Sequence, residues 1–94
     1  MTKDKKAAGY FDSVRNCPVY EGDVYYEEGL ICPYFRVVKT AERGFVIHHV
    51  GSTETFDFST EGQNLIRRQY IGNELDNPNI YEEFEVAKNS TVKE

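Results

Sequence analysis

From Val19 onward the chain alternates apolar and polar residues with a period of two. Tyr20, Val24 and Tyr26 alternate with Glu21, Asp23 and Glu27, the pattern of a strand with one covered face. Gly22 falls where a bulge or tight bend is expected, and Tyr25 adds an aromatic to the other face. Glu28-Gly29 marks a turn. Residues 31 to 40 predict a longer strand, with Phe35 and Val37 on one face and Tyr34, Arg36 and Val38 on the other; Pro33 fits its beginning. Ala41-Glu42-Arg43-Gly44 predicts a hairpin turn, with Gly44 suited to a positive φ. The return strand, residues 45 to 50, is apolar on both sides, Phe45 and Ile47 against Val46 and Val50. Such a strand is expected in the centre of a closed barrel or beneath another chain. Gly51-Ser52 turns again, and Phe56 and Phe58 predict a further strand.

The rest of the chain follows less regular rules. Residues 59 to 63 read as a polar connection. Residues 64 to 70 fit either a short helix, through Leu65 and Ile66, or the approach to a last strand at Tyr70 and Ile71. Asn77-Pro78 predicts a helix start, because Asn caps and Pro suits the first helical position. Ile80, Tyr81 and Phe84 then share a face, with Glu82, Glu83 and Glu85 outside it. Residues 10 to 16 fit either one helical turn or a strap across the strands. Residues 1–9 and 87–94 are polar and are expected to be flexible tails, leaving one domain over residues 10–86. About five short strands joined by tight turns predict a mostly β fold, a small SH3-like or OB-like barrel with a short C-terminal helix.

Composition sharpens this. The 94 residues include seven tyrosines and six phenylalanines, no tryptophan, and only Leu30, Leu65 and Leu75 as leucines. Aromatic and β-branched residues favour pleated surfaces. The formal charge of −5 argues against direct nucleic-acid binding, which needs a basic stripe to displace counterions. It permits the opposite, an acidic surface that competes with nucleic acid for a basic groove. No apolar run approaches membrane-spanning length, and no apolar segment follows the basic residues Lys3, Lys5 and Lys6, so a cytoplasmic protein with no membrane partner is expected. The two cysteines, Cys17 and Cys32, each precede a proline and so occupy extended backbone; in a reducing compartment both are thiols.

Two short motifs bracket the central region: Tyr20-Glu21-Gly22-Asp23-Val24, and Ile71-Gly72-Asn73 followed by Asn77-Pro78. In order and spacing they resemble the signature of the YopX family, small proteins of bacteriophages and mobile elements. The likeness spans roughly residues 11 to 84. Residues 11–18 match the family only loosely, and Glu74-Leu75-Asp76 stands where Ile-Tyr-Glu is usual. The resemblance implies a β barrel of SH3-like type that associates into oligomers, in a host-cell cytoplasm, and carries no catalytic residues to transfer. The residue types in both motifs suit corners: Gly22 bends a strand, Asp23 bonds turn amides, Gly72-Asn73 permits a bulged exit, and Asn77 caps a turn.

Candidate chemistry is sparse. His48 and His49 point to opposite faces of a strand, so they do not share a metal, and Cys17 and Cys32 match no zinc spacing. No phosphate loop, dinucleotide fingerprint or nucleophile elbow is present. No catalytic residue, metal or cofactor is therefore expected, and the chain reads as non-enzymatic. Tyr20, Tyr25, Tyr26, Tyr34 and Tyr70, with Arg36 and His48, are the candidate interaction surface, since tyrosine joins apolar area to a hydroxyl. The expected partners are a second copy of the chain and a host or phage protein. Two alternatives stay open. Glu21, Asp23, Glu27, Glu28, Glu82, Glu83 and Glu85 could form an acidic, anti-defence face that blocks a nucleic-acid groove. Tyr34, Arg36 and His48 could line a subunit interface that holds a nucleotide or another small ligand.

Overall fold

A computed structural model describes residues 5–92 of the chain. The fold is mostly β, with two sheets and a C-terminal helix. β1 (Ala7–Asp12) and β2 (Cys17–Tyr20) form an antiparallel ribbon. β3 (Asp23–Tyr26), β4 (Tyr34–Thr40), β5 (Gly44–His49), β6 (Thr55–Phe56) and β7 (Gln69–Asn73) form one five-stranded antiparallel sheet in the order β6-β5-β4-β3-β7. α1 (Phe58–Arg67) links β6 to β7, and α2 (Ile80–Val92) closes the described chain.

The pairing accounts for the apolar residues on both faces of β3 and β4. Tyr25 lies opposite Phe35, and Val37 opposite Ile47. These side chains share one face and form a single core with Val19 of β2 and Leu65 and Ile66 of α1. The ribbon and α1 therefore cover that face. One residue along each strand, Tyr26 lies opposite Tyr34 and points the other way. Those rings meet Tyr81 and Phe84 of α2, with centroids 4.7–6.2 Å apart, in the tilted and edge-on geometries that aromatic pairs favour. Elements of this same chain thus lie on both faces of the sheet.

α1 occupies a stretch expected as a strand at Phe58, a polar connection over residues 59 to 63 and then either a short helix or the approach to a last strand; its second half is the short helix offered through Leu65 and Ile66. Its inward positions, Phe58, Gly62, Leu65 and Ile66, follow i, i+4, i+7, i+8 spacing. The glycine in that series hides the helical period, because Gly62 reads as polar punctuation. It is buried because the Tyr10 ring rests directly on the helix backbone: a Cβ at position 62 would lie 2.5 Å from Tyr10 Cζ. Tyr10 also stacks on Phe58 at 5.2 Å and accepts a hydrogen bond from Gln63 Nε2 at 2.7 Å. Asp57 precedes the helix but makes no side-chain cap; its carboxylate instead pairs with Arg43 at 2.6 Å.

The ends of the domain also differ from expectation. β1 begins at Ala7, inside the stretch read as a tail, and Ala8 packs against the core. A ribbon strand needs backbone partners more than large side chains, and Glu21 N donating to Lys6 O extends the pairing further. Residues 10 to 12 belong to the same strand and form no helical turn. α2 runs through most of the expected C-terminal tail, to Val92. Residues 1–4 and 93–94 of the two expected tails lie outside the described residues.

Because Tyr10 fills the space above Gly62, Gly62→Ala forces the ring off the helix. We expect a loss of about 1–3 kcal/mol, read as a lowered thermal midpoint with the same cooperative shape.

Candidate functional site

The two sequence motifs meet in space. β3 pairs with β7 so that Asp23 faces Asn73. Asp23 is buried (1% exposed), and its oxygens are fully engaged. Oδ2 accepts from Tyr20 N at 2.9 Å, while Oδ1 accepts from Asn73 Nδ2 at 2.8 Å and Tyr70 Oη at 3.2 Å. Asn73 Nδ2 also donates to Glu21 O, and Asn73 Oδ1 receives Leu75 N at 2.8 Å. Glu74 N donates to Gly22 O at 2.8 Å, closing the corner. Gly22 has φ +91°, and a Cβ there would sit 2.8 Å from both Asn73 Oδ1 and the Leu75 side chain. A positive φ and this close approach both require glycine.

A second carboxylate joins this corner from the ribbon. Asp12 (0% exposed) accepts Val14 N and Arg15 N through Oδ1, and Tyr25 Oη at 2.7 Å through Oδ2. Arg15 lies between the two carboxylates, with Nη1 3.7 Å from Asp12 and 3.8 Å from Asp23, and its guanidinium stacks 3.4 Å from the centre of the Tyr70 ring. Buried charges persist only when paired and hydrogen-bonded, and here each carboxylate is. Burial and the bond to Asp12 raise the Tyr25 hydroxyl well above the ordinary tyrosine range. Tyr70 is pushed up to about 12, by burial first and then by the Asp23 charge.

On the opposite face, Tyr34, Arg36 and His48 come together as a second cluster. Arg36 Nε donates to His48 Nδ1 at 3.0 Å, so His48 accepts there, and its Nε2 donates to Ser52 O at 2.9 Å. Arg36 Nη1 pairs with Glu74 at 3.2 Å, and Tyr81 Oη donates to the same carboxylate at 2.9 Å. Tyr34 Oη donates to Glu85 on α2; burial and that bond raise Tyr34, and the same bond holds Glu85 below the usual carboxylate range. Every member of this cluster is thus tied to another element of the fold.

The connection from β3 to β4 forms a third feature. It is closed at its base by Glu27 N donating to Pro33 O at 2.8 Å and by His49 Nε2 donating to Cys32 O at 2.6 Å. His49 lies flat on Phe35, with centroids 4.5 Å apart and planes 3° apart. Its Nε2 addresses the Cys32 carbonyl and not the thiol, whose sulfur faces Gly51. At the tip, Ile31 is 100% exposed and Leu30 42% exposed. Beside this loop lies an open groove of about 580 Å³, walled by Glu27 and Glu28 on one side and by Asn64, Arg67, Arg68 and Gln69 on the other.

These positions correct two expectations. Tyr25 and Tyr26, offered as contact surface, are 0% and 5% exposed and belong to the packing on the two faces of the sheet. Tyr20, Tyr34 and Tyr70 are only half-buried, and Tyr34 and Tyr70 also spend their hydroxyls internally. The seven acidic candidates do not share one face. Asp23 is buried, Glu27 pairs with Arg68 at 2.7 Å, and Glu85 is held by Tyr34 and Lys88. Both cysteines are free thiols, and no group of three or more metal-ligating side chains occurs among the described residues. No helix of the described residues is long and apolar enough to cross a membrane. Sequence reasoning missed Asp12, Arg15 and Asn64 with Arg67 and Arg68. The clue to the first pair was a buried-type Asp beside a turn; nothing in the spacing announced the arginines. Comparison with family models, with curated proteins and with solved structures returned no match.

Two outcomes are expected. Gly22→Ala costs about 1–3 kcal/mol in urea unfolding, because the residue must take a strained φ and displace Asn73. Raising pH removes stability on the tyrosine side. Folded-state values raised above the ordinary tyrosine value of about 10 contribute fully below that pH, and the contribution vanishes as pH climbs through the folded values. A spectrophotometric titration should therefore show Tyr25, Tyr34, Tyr70 and Tyr81 ionising late, together with unfolding. Smooth ionisation of all seven tyrosines near pH 10 with the fold retained contradicts this account of the corner.

Proposed function

We propose that this chain acts by contact with another protein and not by bond-making, and that the β3–β4 connection is its leading edge. The observation that carries this reading is Ile31, wholly exposed at the tip of a loop whose base is closed by two backbone-carbonyl hydrogen bonds. An aliphatic side chain held there offers apolar area at little ordering cost. Leu30 enlarges the patch, and the groove walled by Glu27, Glu28, Arg67 and Arg68 supplies a polar rim beside it. An apolar centre with a polar rim is the usual anatomy of a recognition surface.

The ionisable residues elsewhere support the same reading. Asp12, Asp23, Arg15, Arg36 and Glu74 each bond at least one other element of the fold, and no buried side-chain nitrogen or oxygen among the described residues lacks a partner. The YopX-like motifs are the ground for assigning the chain to phages or mobile elements, with a host or phage protein, or a second copy of the chain, as partner.

The test places a photo-crosslinking residue at position 31 and, as a control, at exposed position 53, in the full chain. Protein adducts should form at 31 well above those at 53, either to a second copy or to a single host or phage protein. Ile31→Asp should abolish the association while leaving the thermal midpoint within the error expected of a surface change, about 0.5 kcal/mol. Equal adducts at both positions, together with unaltered light scattering for Ile31→Asp, would sink the proposal.

A further inference from the structure

The groove beside the β3–β4 connection contains an arginine prepared to receive something. Arg68 follows α1 directly, and its side chain is only 15% exposed. Two contacts immobilise it. Its guanidinium carbon lies 3.9 Å from the centre of the Phe35 ring, and its Nε donates to Glu27 at 2.7 Å. Stacking fixes the plane of the group, and the Nε bond fixes its rotation within that plane. Both amino nitrogens, Nη1 and Nη2, bond no protein group among the described residues. A guanidinium is a planar fork that matches two oxygens of one acid group. Here the fork is oriented before any ligand arrives, which removes most of the ordering cost of binding.

The surroundings select among acids. Arg67 adds an exposed cation with no protein partner among the described residues, while Glu27 and Glu28 on the facing wall carry two negative charges. Two arginines against two glutamates leave the groove near neutrality. The C-terminal end of α1, with its partial negative charge, lies at Arg67 and further disfavours dense negative charge. A phosphate dianion therefore gains little here. A single planar carboxylate needs only the free edge of one guanidinium, and it gains it in full. The side amides of Asn64 and Gln69, both exposed on the same wall, can meet the donors and acceptors of a peptide backbone on either side of that carboxylate.

We infer that this groove binds a peptide carboxylate, held by the amino edge of Arg68, with Arg67 adding attraction. The carrier being a peptide rests on the contact reading given above; the oxyanion site itself does not. The carboxylate can come from an acidic side chain or from a chain terminus, and the test separates the two.

The experiment is a nitrogen-15 NMR titration of the full chain with four probes. They are Ac-Gly-Glu-Gly-NH2, Ac-Gly-Gly-Gly with its free terminus, the neutral Ac-Gly-Gln-Gly-NH2, and inorganic phosphate. At least one carboxylate probe should give saturable shifts at the Arg68 Nε–H and at the backbone amides of residues 26–28 and 64–69. The glutamine peptide should give none, and phosphate should bind at least tenfold more weakly. Arg68→Lys, which cannot present the fork, should weaken binding at least tenfold. Arg67→Ala, an exposed change that leaves the fold intact, should weaken it by a smaller factor. Absence of saturable shifts with both carboxylates overturns the inference, as does phosphate binding as tightly as carboxylate, or unchanged affinity in both variants. No partner protein takes part, so failure here leaves the Ile31 proposal standing, and failure at Ile31 leaves this site standing.

Discussion

One buried carboxylate organises this domain. Asp23 receives hydrogen bonds from the main chain of Tyr20, the side chain of Asn73 and the hydroxyl of Tyr70, and lies within ion-pair distance of Arg15. Taking a carboxylate out of water costs several kcal/mol unless its lone pairs are met. Every one of those partners must therefore be in place at once. They come from β2, β7 and the turn of the ribbon, so meeting the demands of one side chain fixes three separate pieces of chain against β3. Removing any single donor leaves a buried charge short of a bond.

The same corner bears on one edge of the five-stranded sheet, and the other edge is short. β7 is an edge strand, and its pairing with β3 slips between Val24 and Tyr25, so that Ile71 is the extra residue of a bulge. Bulges and short edges deter pairing with a foreign strand. The opposite edge, β6, has only Thr55 and Phe56 before α1 begins. The bulge also sets Asn73 opposite Asp23, so the feature that blunts the edge is the one that completes the bonding of the corner. Recognition by strand addition is thereby disfavoured at both edges of the five-stranded sheet, which agrees with the proposal that contact is made through a loop.

How much of this could be read from the chain depends on whether a residue has one physical use or several. The β4–β5 hairpin was legible in its faces: alternation placed Phe35 and Val37 against Tyr34, Arg36 and Val38, and the pairs 35–49 through 40–44 keep that division; its start was not, since the strand expected from residue 31 begins at Tyr34 and Ile31 stands in the connection before it. The corner motifs were legible as corners, because Gly, Asp and Asn at strand ends have few other uses; Asp23 does bond a turn amide, and Asn77 Oδ1 does receive Asn79 N. The second half of α1 was legible as one of two alternatives, through Leu65 and Ile66, but its first half was not, since Gly62 stands at the helical position that Tyr10 occupies from outside. β1 was not legible either, because its strand is held by backbone pairing with small residues. The mostly β class followed from period-two alternation and turn signals, which the aromatic-rich composition sharpened. The contact surface did not, because tyrosine serves equally in a core with a polar neighbour and at an interface.

That double use of tyrosine links two oddities of composition. The chain is acidic and tyrosine-rich yet has no tryptophan. In the fold, Tyr25 donates to Asp12, Tyr26 to Glu28, Tyr34 to Glu85, Tyr70 to Asp23 and Tyr81 to Glu74. Each ring fills space on or beside the sheet while its hydroxyl meets a carboxylate, and for the buried Asp12 and Asp23 that bond offsets a costly desolvation. Tryptophan supplies a donor too, but its indole nitrogen lies on the side of a larger ring, and phenylalanine supplies none. In a domain of this size, with few leucines to build a purely apolar core, tyrosine and carboxylate act as one packing unit. A minority of the acidic residues is therefore internal or structural: Asp12 and Asp23 are buried, and Glu74 and Glu85 pin α2 to the sheet. Acidic charge used this way cannot also be displayed on an outer face, and on the contact reading proposed above the surface that serves recognition is the apolar tip at Ile31 with the mixed-charge groove beside it.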